Sequence, residues 1–495
     1  MPATIRRRDF LRGATGLAAA VMFPPSTWAG DPPCDLVQLS DAEFEALARQ
    51  LSDGAQLVLP TNDDYIHLKQ TWNAIYNPLP VAIVRVQETA DVQAVVQWCV
   101  ARGIHPRTRS GGHSFAGYSM GNTVIIDLRD MKGISLDGDG IATIGAGATL
   151  GQVYCTLHDQ WERTMPAGSC PTVGISGITM AGGYGELARK YGMSCDVVTS
   201  AEIVLADGSA RTTTHSTDEE LFWSLRGGGS GSYGVVTNWQ FETFDYEPQS
   251  YMYVWWDWSH VSEAFAAFQE WIPSLDDSYS ATFSISAAPT PGFKIILFGK
   301  SSSTDFAQQA ANLVALGPSA KPVVTGPNPL PVPPCTWPND VAYGVQKSRF
   351  ANSPVSTDAM DIIKEAYDQR AGIPQLKGTT AFILINALRG AIQSKPGDFN
   401  AFNHRDALIS AQFGARWTDL GEDPVAQVAS TNWQRDYYEA IYDAFDGGCY
   451  QGYWDPEVQN WPEMYYGSAF PRLRAAKTLY DPNDFFTFQR SIPLA

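Results

Sequence analysis

The chain has 495 residues, of which 44% are hydrophobic, and it carries a formal net charge of −18 at pH 7. A chain of this length exceeds what one hydrophobic core ordinarily supports, so we expect two domains. The acidic charge disfavours nucleic acid and anionic membranes as partners. Beyond the N-terminus no apolar run reaches the ~18 residues of a membrane span. For a chain of this charge a neutral or cationic small-molecule substrate is easier to accept, although net charge does not set the charge of a local pocket.

The N-terminus has the layout of an export signal. Arginines at positions 6–8 precede an apolar stretch over 13–23, and a small-x-small sequence ends at Ala29. An arginine pair before Phe-Leu is the twin-arginine form, which the export machinery reads as an address. Residues 1–29 are therefore expected to be the signal peptide of a bacterial protein that is periplasmic or secreted. An ordinary basic N-terminal arm is the alternative.

Apolar periodicity predicts alternating helices and strands in the first half of the chain. Helices are predicted within 36–60 and over 90–102, the second ended by Gly103. Strands are predicted, in chain order, over 80–86, from Ile104 into the glycine-containing segment that begins at Arg107, and over 123–128, 141–145, 201–208 and 235–241.

The composition shifts near residue 246, and the following segment has a different pattern. The elements predicted there are an aromatic strand over 251–258, a helix over 261–272, a proline-rich loop over 327–338, and strands over 379–388 and 407–417. This order indicates an antiparallel sheet with helices on one face, an α+β arrangement.

The aromatic strand over 251–258 has two faces with different side chains. Alternation places Tyr251, Tyr253, Trp255 and Asp257 on one side of that strand. Core packing is the favoured interpretation of this face, and lining of a substrate cleft is the alternative.

Three glycine-rich turns occur at 111–112, 174–185 and 227–234. Glycine permits positive φ and close backbone approach, and successive N–H groups in such turns bind anions. A phosphate-bearing cofactor is a natural occupant. None of the turns reads G-x-G-x-x-G at a strand–helix junction or G-x-x-x-x-G-K-[ST], which argues against a Rossmann domain and a P-loop.

The chain has seven cysteines, and none forms a Cys-x-x-Cys pair, so no zinc or other metal site is expected. Disulfides are allowed in an exported protein. Because seven is an odd number, at least one thiol is free, paired with another molecule or used chemically.

The glycine turns, taken with their neighbours, resemble motifs of the berberine bridge enzyme-like family within the vanillyl-alcohol oxidase superfamily. Gly111-Gly112-His113 resembles the motif that carries covalent flavin, and the segment 166–174 with Cys170 resembles the cysteine attachment segment. Further resemblances lie in 182–192, in 226–237 and in the closing segment 465–485. The resemblance runs from about Gly54 to Pro493.

The resemblance implies a two-domain α+β fold of the PCMH type with bicovalently attached FAD. His113 would bond through a ring nitrogen to the flavin 8α-methyl carbon, and Cys170 through sulfur to flavin C6. Neutral imidazole and thiolate are suitable nucleophiles for these bonds. Further residues implied in FAD binding are Arg109, Ser110, Gly111, Gly112, Ser114, Gly174, Gly177, Gly182, Gly183, Gly185, Gly234 and Val236.

The resemblance also implies a division of the chain. An FAD-binding domain over 30–246 would be followed by a substrate domain over 247–449, an antiparallel sheet covered by helices. A C-terminal segment over 450–495 would return to the FAD-binding domain. The active site would then lie between the two domains, a usual place for pockets.

The segment 444–456 resembles a family segment whose second tyrosine is the catalytic base. That residue is Tyr453 here, and Tyr450 is the alternative. A phenol with a pKa of ~10 must have it lowered, or must lose its proton in step with hydride transfer. Asn386 either faces the pocket or pairs locally on its strand.

The expected activity is an FAD-dependent oxidase. It would oxidise a C–H bond next to a hydroxyl or amine by hydride transfer to flavin N5, with molecular oxygen as the acceptor and hydrogen peroxide as the product. A dehydrogenase that passes electrons to a protein or quinone acceptor is one alternative. A flavin-binding protein without turnover is another.

Several positions depart from the family pattern. They are Ile178, Ser232-Tyr233, Arg389-Gly390, Gly452 and Ala469. Both attachment positions are intact, whereas the altered polar groups weaken any transfer of substrate identity. Val173 occupies a position that influences oxygen access in the family, and a valine there is compatible with an oxidase.

Overall fold

The computed structural model describes residues 39–287, 290–300, 305–330, 341–418 and 424–495. The expected signal peptide over 1–29 lies outside the described residues. In the part of the chain that the structure describes, three larger β-sheets, one two-stranded ribbon and their helices form a mixed architecture, which confirms the predicted α+β fold class. Within the described ranges, no helix combines the length and the apolar character that a bilayer crossing needs.

The first sheet has four strands. They are β1 Gln56–Val58, β2 Ala82–Arg85, β3 Arg107–Arg109 and β4 Val124–Asp127, in the order β1-β2-β4-β3. Strands β2, β4 and β3 run parallel, and β1 pairs antiparallel with β2. The flanking helices are Asp41–Ala48, Tyr65–Leu68 and Thr89–Val100. Gly103 follows the third helix with φ +62°, the left-handed value that favours glycine at a helix end.

The second sheet is antiparallel. Its strands are β5 Ile134–Leu136, β6 Ile141–Gly145, β8 Val198–Val204, β9 Ala210–Thr213 and β10 Val235–Glu242, in the order β5-β6-β10-β8-β9. A separate ribbon pairs β7 Arg163–Thr164 with β11 Phe244–Asp245. The helices of this region are Leu150–Trp161, Ile175–Met180, Ala188–Tyr191 and Glu219–Leu225.

The end of the chain packs against this second sheet. The helices Trp461–Tyr466 and Phe470–Tyr480 contribute Tyr465 and Leu473 to the core that also holds Trp239 of β10. The first sheet likewise receives Phe485 and Phe486 in its core. The C-terminal segment is therefore part of the same body as the glycine turns, while the proposed domain boundaries at 246 and 449 stay predictions.

The third sheet has seven antiparallel strands. They are β12 Gln249–Trp255, β13 Ser280–Ser286, β14 Gly292–Lys300, β15 Val323–Pro329, β16 Tyr343–Ala351, β17 Thr380–Ala387 and β18 Ile409–Trp417. Their order is β15-β12-β14-β13-β17-β18-β16.

Helices cover one face of this third sheet. They are Val261–Trp271, Phe306–Leu316, Thr357–Arg370 and Pro424–Ala440. Phe265 and Phe268 of the first helix pack on Phe283 of β13, with ring centroids 5.4 and 5.6 Å apart. Aromatic burial of this kind supplies a large apolar area. The opposite face of β17 and β18 is left to contact the glycine turns.

Two expectations for this part of the chain are wrong. The proline-rich stretch 327–338 is not entirely a loop, because residues 327–329 belong to edge strand β15, where a missing proline N–H costs no internal sheet bond. Residues 331–338 of this stretch lie outside the described residues. The aromatic face of β12 is neither core nor cleft. Met252 and Val254 face the core, whereas Tyr251, Tyr253 and Trp255 are half-buried and lie away from the main cavity.

Candidate active site

A cavity of about 420 Å³ lies between the glycine turns and the free face of the third sheet. Its walls bring together segments that are far apart in sequence. The predicted site residues that line it are Ser110, Gly111, Gly112, His113, Ser114, Cys170, Gly174, Gly177, Gly185, Gly234, Val236, Tyr450 and Tyr453. The structure places Arg109, Gly182 and Gly183 behind this lining.

One hydroxyl joins the two predicted attachment residues. Thr172 Oγ1 lies 2.8 Å from His113 Nε2 and 3.4 Å from Cys170 Sγ. The imidazole and the thiol are therefore neighbours on one wall of the cavity. Trp72 stacks on the imidazole, with ring centroids 5.0 Å apart, and fixes its plane. Sequence reasoning missed both Thr172 and Trp72.

The imidazole of His113 is held neutral. Burial, helped by the positive charge of Arg109, lowers the pKa of His113 from 6.5 to about 4. Because the Nε2 atom is engaged by Thr172, the other ring nitrogen is the one left to react. Among the described residues, Nδ1 has no hydrogen-bond partner. A neutral imidazole with a free ring nitrogen is a nucleophile at neutral pH.

Two glycines let the turns touch each other. A Cβ on Gly111 would lie 2.2 Å from the backbone nitrogen of Gly174, and a Cβ on Gly174 would meet Gly111 equally closely. Ser110 and Ser176 add side-chain hydrogen bonds of 2.7 and 2.8 Å to the same carbonyl, that of Ala146. This backbone contact sets the distance between His113 and the segment of Cys170.

The predicted residues behind the lining support it. Arg109 points away from the cavity. It donates a hydrogen bond of 2.6 Å to the carbonyl of Gln70 and another hydrogen bond to the carbonyl of Leu68. Its guanidinium covers Gly112, whose φ is +73° and where a Cβ would lie 2.8 Å from Arg109 Nε. Gly182 and Gly183 also have positive φ, and the N–H of Gly183 donates 3.1 Å to the Tyr450 hydroxyl.

Three tyrosines meet at one end of the cavity. The hydroxyl of Tyr184 lies 3.4 Å from that of Tyr453 and 2.9 Å from Ser410 Oγ. The rings of Tyr450 and Tyr453 are perpendicular, with centroids 5.0 Å apart. Burial raises the pKa of all three phenols above the ordinary value of 10.0. They therefore stay protonated at neutral pH, and a proton moves only in step with a reaction.

Sequence reasoning missed Tyr184. It stands inside the Gly182-Gly183-Tyr184-Gly185 turn, which was interpreted for its glycines alone. A polar aromatic residue within a cofactor-type turn is the signal that could have indicated it.

The free face of the third sheet forms the roof of the cavity and is polar. The lining residues from β13, β17 and β18 include Thr282, Leu384, Asn386, Gln412 and Arg416. Asn386 both lines the cavity and pairs locally, since Thr282 Oγ1 donates 2.9 Å to its side-chain oxygen. Val173 also lies in the lining. This roof offers hydrogen-bond groups to a substrate with several hydroxyls.

The donor set of the cavity suits a flavin and not a metal. Two nucleophiles stand side by side, as two bonds to one edge of an isoalloxazine ring require, and glycine backbone leaves room for a dinucleotide. Across the described residues no group of three or more histidine, cysteine, aspartate or glutamate side chains could hold a metal ion.

Comparison with known proteins gives the same result. Residues 80–214 match the FAD binding domain family, and residues 449–493 match the family described as berberine and berberine like. The uncharacterized FAD-linked oxidoreductase YgaK of Bacillus subtilis is 31% identical over 88% of this chain and 96% of its own length. The chitooligosaccharide oxidase of Gibberella zeae is 27% identical over 83% of this chain and 87% of its own.

A solved structure shares the fold over most of the chain. The structure of BBE-like 1 from Physcomitrella patens superposes with a TM-score of 0.81 at 26% identity, and covers 92% of this chain and 99% of its own. Fold and site thus define the class of protein, an FAD-linked oxidoreductase. Within that class, the chain belongs to the berberine bridge enzyme-like family.

Proposed function

We propose that this protein is an oxidase that carries FAD through two covalent bonds, one from His113 and one from Cys170, and oxidises a hydroxyl of a carbohydrate. The observation that carries the proposal is the Thr172 hydroxyl, which contacts both attachment residues and leaves the second ring nitrogen of His113 free. When bound, FAD supplies the acceptor for a hydride and returns the electrons to molecular oxygen, which yields hydrogen peroxide.

His113, Cys170 and the glycine turns hold the cofactor. Trp72 and Thr172 fix the imidazole in one orientation, with its free nitrogen available for the tether. The contact of Gly111 with Gly174 keeps thiol and imidazole on one wall. Attachment at two points prevents loss of the cofactor outside the cell, in keeping with the proposed twin-arginine export of residues 1–29.

Tyr453 is the proposed proton acceptor. Its phenol is neutral, so it accepts the proton of the substrate hydroxyl only while releasing its own. Tyr184 and Ser410 continue the chain of hydroxyls, because hydroxyl hydrogens rotate and each group both donates and accepts. The proton displaced from this chain passes to solvent, and the reduction of oxygen to hydrogen peroxide takes up an equivalent proton. Tyr450 has one lone pair occupied by the N–H of Gly183, and we assign it to positioning.

The substrate class follows from the roof of the cavity and from a relative. Amide and hydroxyl side chains on β13, β17 and β18 match the hydroxyl density of a sugar. The Gibberella zeae relative, which spans most of this chain, is a chitooligosaccharide oxidase. An oligosaccharide hydroxyl is therefore the substrate group we propose for this protein.

Two experiments test the proposal. Acid-precipitated protein should stay yellow, and a tryptic peptide with His113 should be cross-linked to one with Cys170. Loss of all flavin into the supernatant would contradict the tethers.

In the second experiment, anaerobic mixing with a panel of oligosaccharides should bleach the flavin, and air should restore its colour rapidly. Tyr453→Phe should slow the bleaching about 100-fold or more, whereas Tyr450→Phe should slow it less. The reverse order would assign the base to Tyr450, and slow reoxidation in air would indicate a dehydrogenase.

A further inference from the structure

One guanidinium in the cavity has no acidic partner within the described ranges of the chain. Arg416 lies on β18 and lines the cavity. Among the described residues, no carboxylate pairs with it, and its Nε atom is buried without a hydrogen-bond partner. Burial lowers the pKa of Arg416, and Cys170 lies within electrostatic range of its guanidinium. The side chain as a whole is half-buried, and a partly dehydrated cation that lacks a counter-ion is costly to keep in a fold.

The fold builds a place for this side chain. Gly344 lies opposite Arg416 on β16, and a Cβ there would come within 2.9 Å of Arg416 Cγ. Gly414 leaves room for the ring of Phe382, which would lie 2.2 Å from a Cβ at that position. The guanidinium carbon is 5.0 Å from the Phe382 ring centre and 5.2 Å from that of Trp72. The planar group is thus oriented by two aromatic faces.

Other charged groups in the lining differ from Arg416. Arg189 is bonded to Tyr279 and Leu275 carbonyls at 2.9 and 2.8 Å and to the Asp277 carboxylate, so its charge is used internally. The carboxylate of Glu186 also lines the cavity, but its charge acts on Tyr453 and Tyr154. Arg416 is therefore available to an anion at the Cys170 side of the cavity.

We propose that Arg416 binds a carboxylate of the substrate, so that the preferred substrate is an acidic oligosaccharide containing a uronic acid. This inference rests on the proposed function and narrows its substrate class. A guanidinium presents parallel N–H donors that match the two oxygens of a carboxylate, a geometry that neither lysine nor an amide reproduces. The acidic sugar unit lies over Trp72 and Arg416, while the hydroxyl to be oxidised lies at Tyr453.

A matched substrate pair tests this assignment. Cellobiose and cellobiouronate differ in one group, a CH₂OH in the first and a carboxylate in the second. The holoenzyme should show a higher kcat/KM for cellobiouronate. Arg416→Met should reduce the ratio of the two kcat/KM values by about 10- to 100-fold, the effect of a charge-assisted hydrogen bond. Arg416→Lys should retain part of the preference.

Two controls accompany the kinetics. Arg49→Met makes the same change in net charge at a side chain that is 70% exposed, and it should leave the ratio unaltered. Thermal melting and the flavin spectrum of Arg416→Met establish that the variant is folded and loaded. Where neither sugar is oxidised, calorimetric titration of cellobiouronate into both holoenzymes measures binding by itself.

The outcomes separate the two proposals. If both sugars are oxidised and Arg416→Met leaves the ratio unchanged, Arg416 is a packing element between two rings and the inference is wrong. If neither sugar is oxidised, the carbohydrate proposal fails, and the titration decides on Arg416 alone. Equal dissociation constants for wild type and variant would then overturn the inference.

Discussion

The contact between the two glycine turns makes Gly111→Ala the sharpest test of the site. A Cβ on Gly111 would lie 2.2 Å from the nitrogen of Gly174 and 2.8 Å from its Cα. Both of these Gly174 atoms belong to the backbone. No rotamer change can relieve such a clash. The turn of His113 must therefore move away from the segment of Cys170, by about an ångström to reach a normal packing distance.

The cost of that movement has two parts. Overpacking of a well-packed contact destabilises a protein by about 1–3 kcal/mol, and a backbone-on-backbone clash belongs at the upper end. Displacement of reacting groups by about 1 Å reduces rates by about 100-fold. We therefore expect the free energy of unfolding to fall by about 3 kcal/mol and at least one of the two flavin bonds to form incompletely.

Denaturant unfolding and peptide mapping measure the two parts. The tryptic digest of Gly111→Ala should contain FAD attached to a single peptide in place of the cross-linked pair. Gly133→Ala is the matched control, because no atom lies within 4 Å of a Cβ at that exposed position. Wild-type stability together with a fully cross-linked His113–Cys170 peptide in Gly111→Ala would refute the reasoning.

Three further predictions concern the surroundings of the site. Tyr184→Phe should lower the rate of flavin reduction about tenfold, the value of one hydrogen bond, in single-turnover kinetics; an unchanged rate would exclude the hydroxyl path. Lys347→Met should lower the free energy of unfolding by about 3–5 kcal/mol, measured with denaturant, because it removes the 3.0 Å ion pair of the buried Asp455 carboxylate. The double variant Lys347→Met/Asp455→Leu should recover most of that loss. Burial lowers the pKa of His404 from 6.5 to about 4, so the unfolded chain binds more protons than the folded chain between these pH values. The free energy of unfolding should therefore fall as pH drops from 6.5 towards 4. His404→Gln should flatten this part of the stability–pH profile, and an unaltered profile would contradict the assignment.

Local sequence predicted most of the secondary structure, because its signals are local. The helix predicted over 90–102 is found at Thr89–Val100, and the strand predicted over 141–145 is found at Ile141–Gly145. In both, the apolar period follows directly from backbone geometry. The strand predicted over 235–241 likewise corresponds to Val235–Glu242.

The side of a strand that becomes buried was not predictable in the same way. On β12 the aromatic residues looked like the core face, but the helices cover the face of Met252 and Val254. Alternation indicates two faces and leaves open which one a partner layer will cover. The edge position of β15, which tolerates its prolines, is likewise a property of the assembled sheet.

By itself, the sequence determined the glycine turns, the pair His113 and Cys170 as attachment candidates, and the family. Those features are contiguous motifs, which can be identified from the sequence without coordinates. The tertiary structure alone decided that Thr172 joins the two nucleophiles and that Tyr184 contacts Tyr453. It also decided that Arg416 faces the cavity with no counter-ion among the described residues. Each of these is a contact or an absence of contact between distant segments, and only long-range packing sets it.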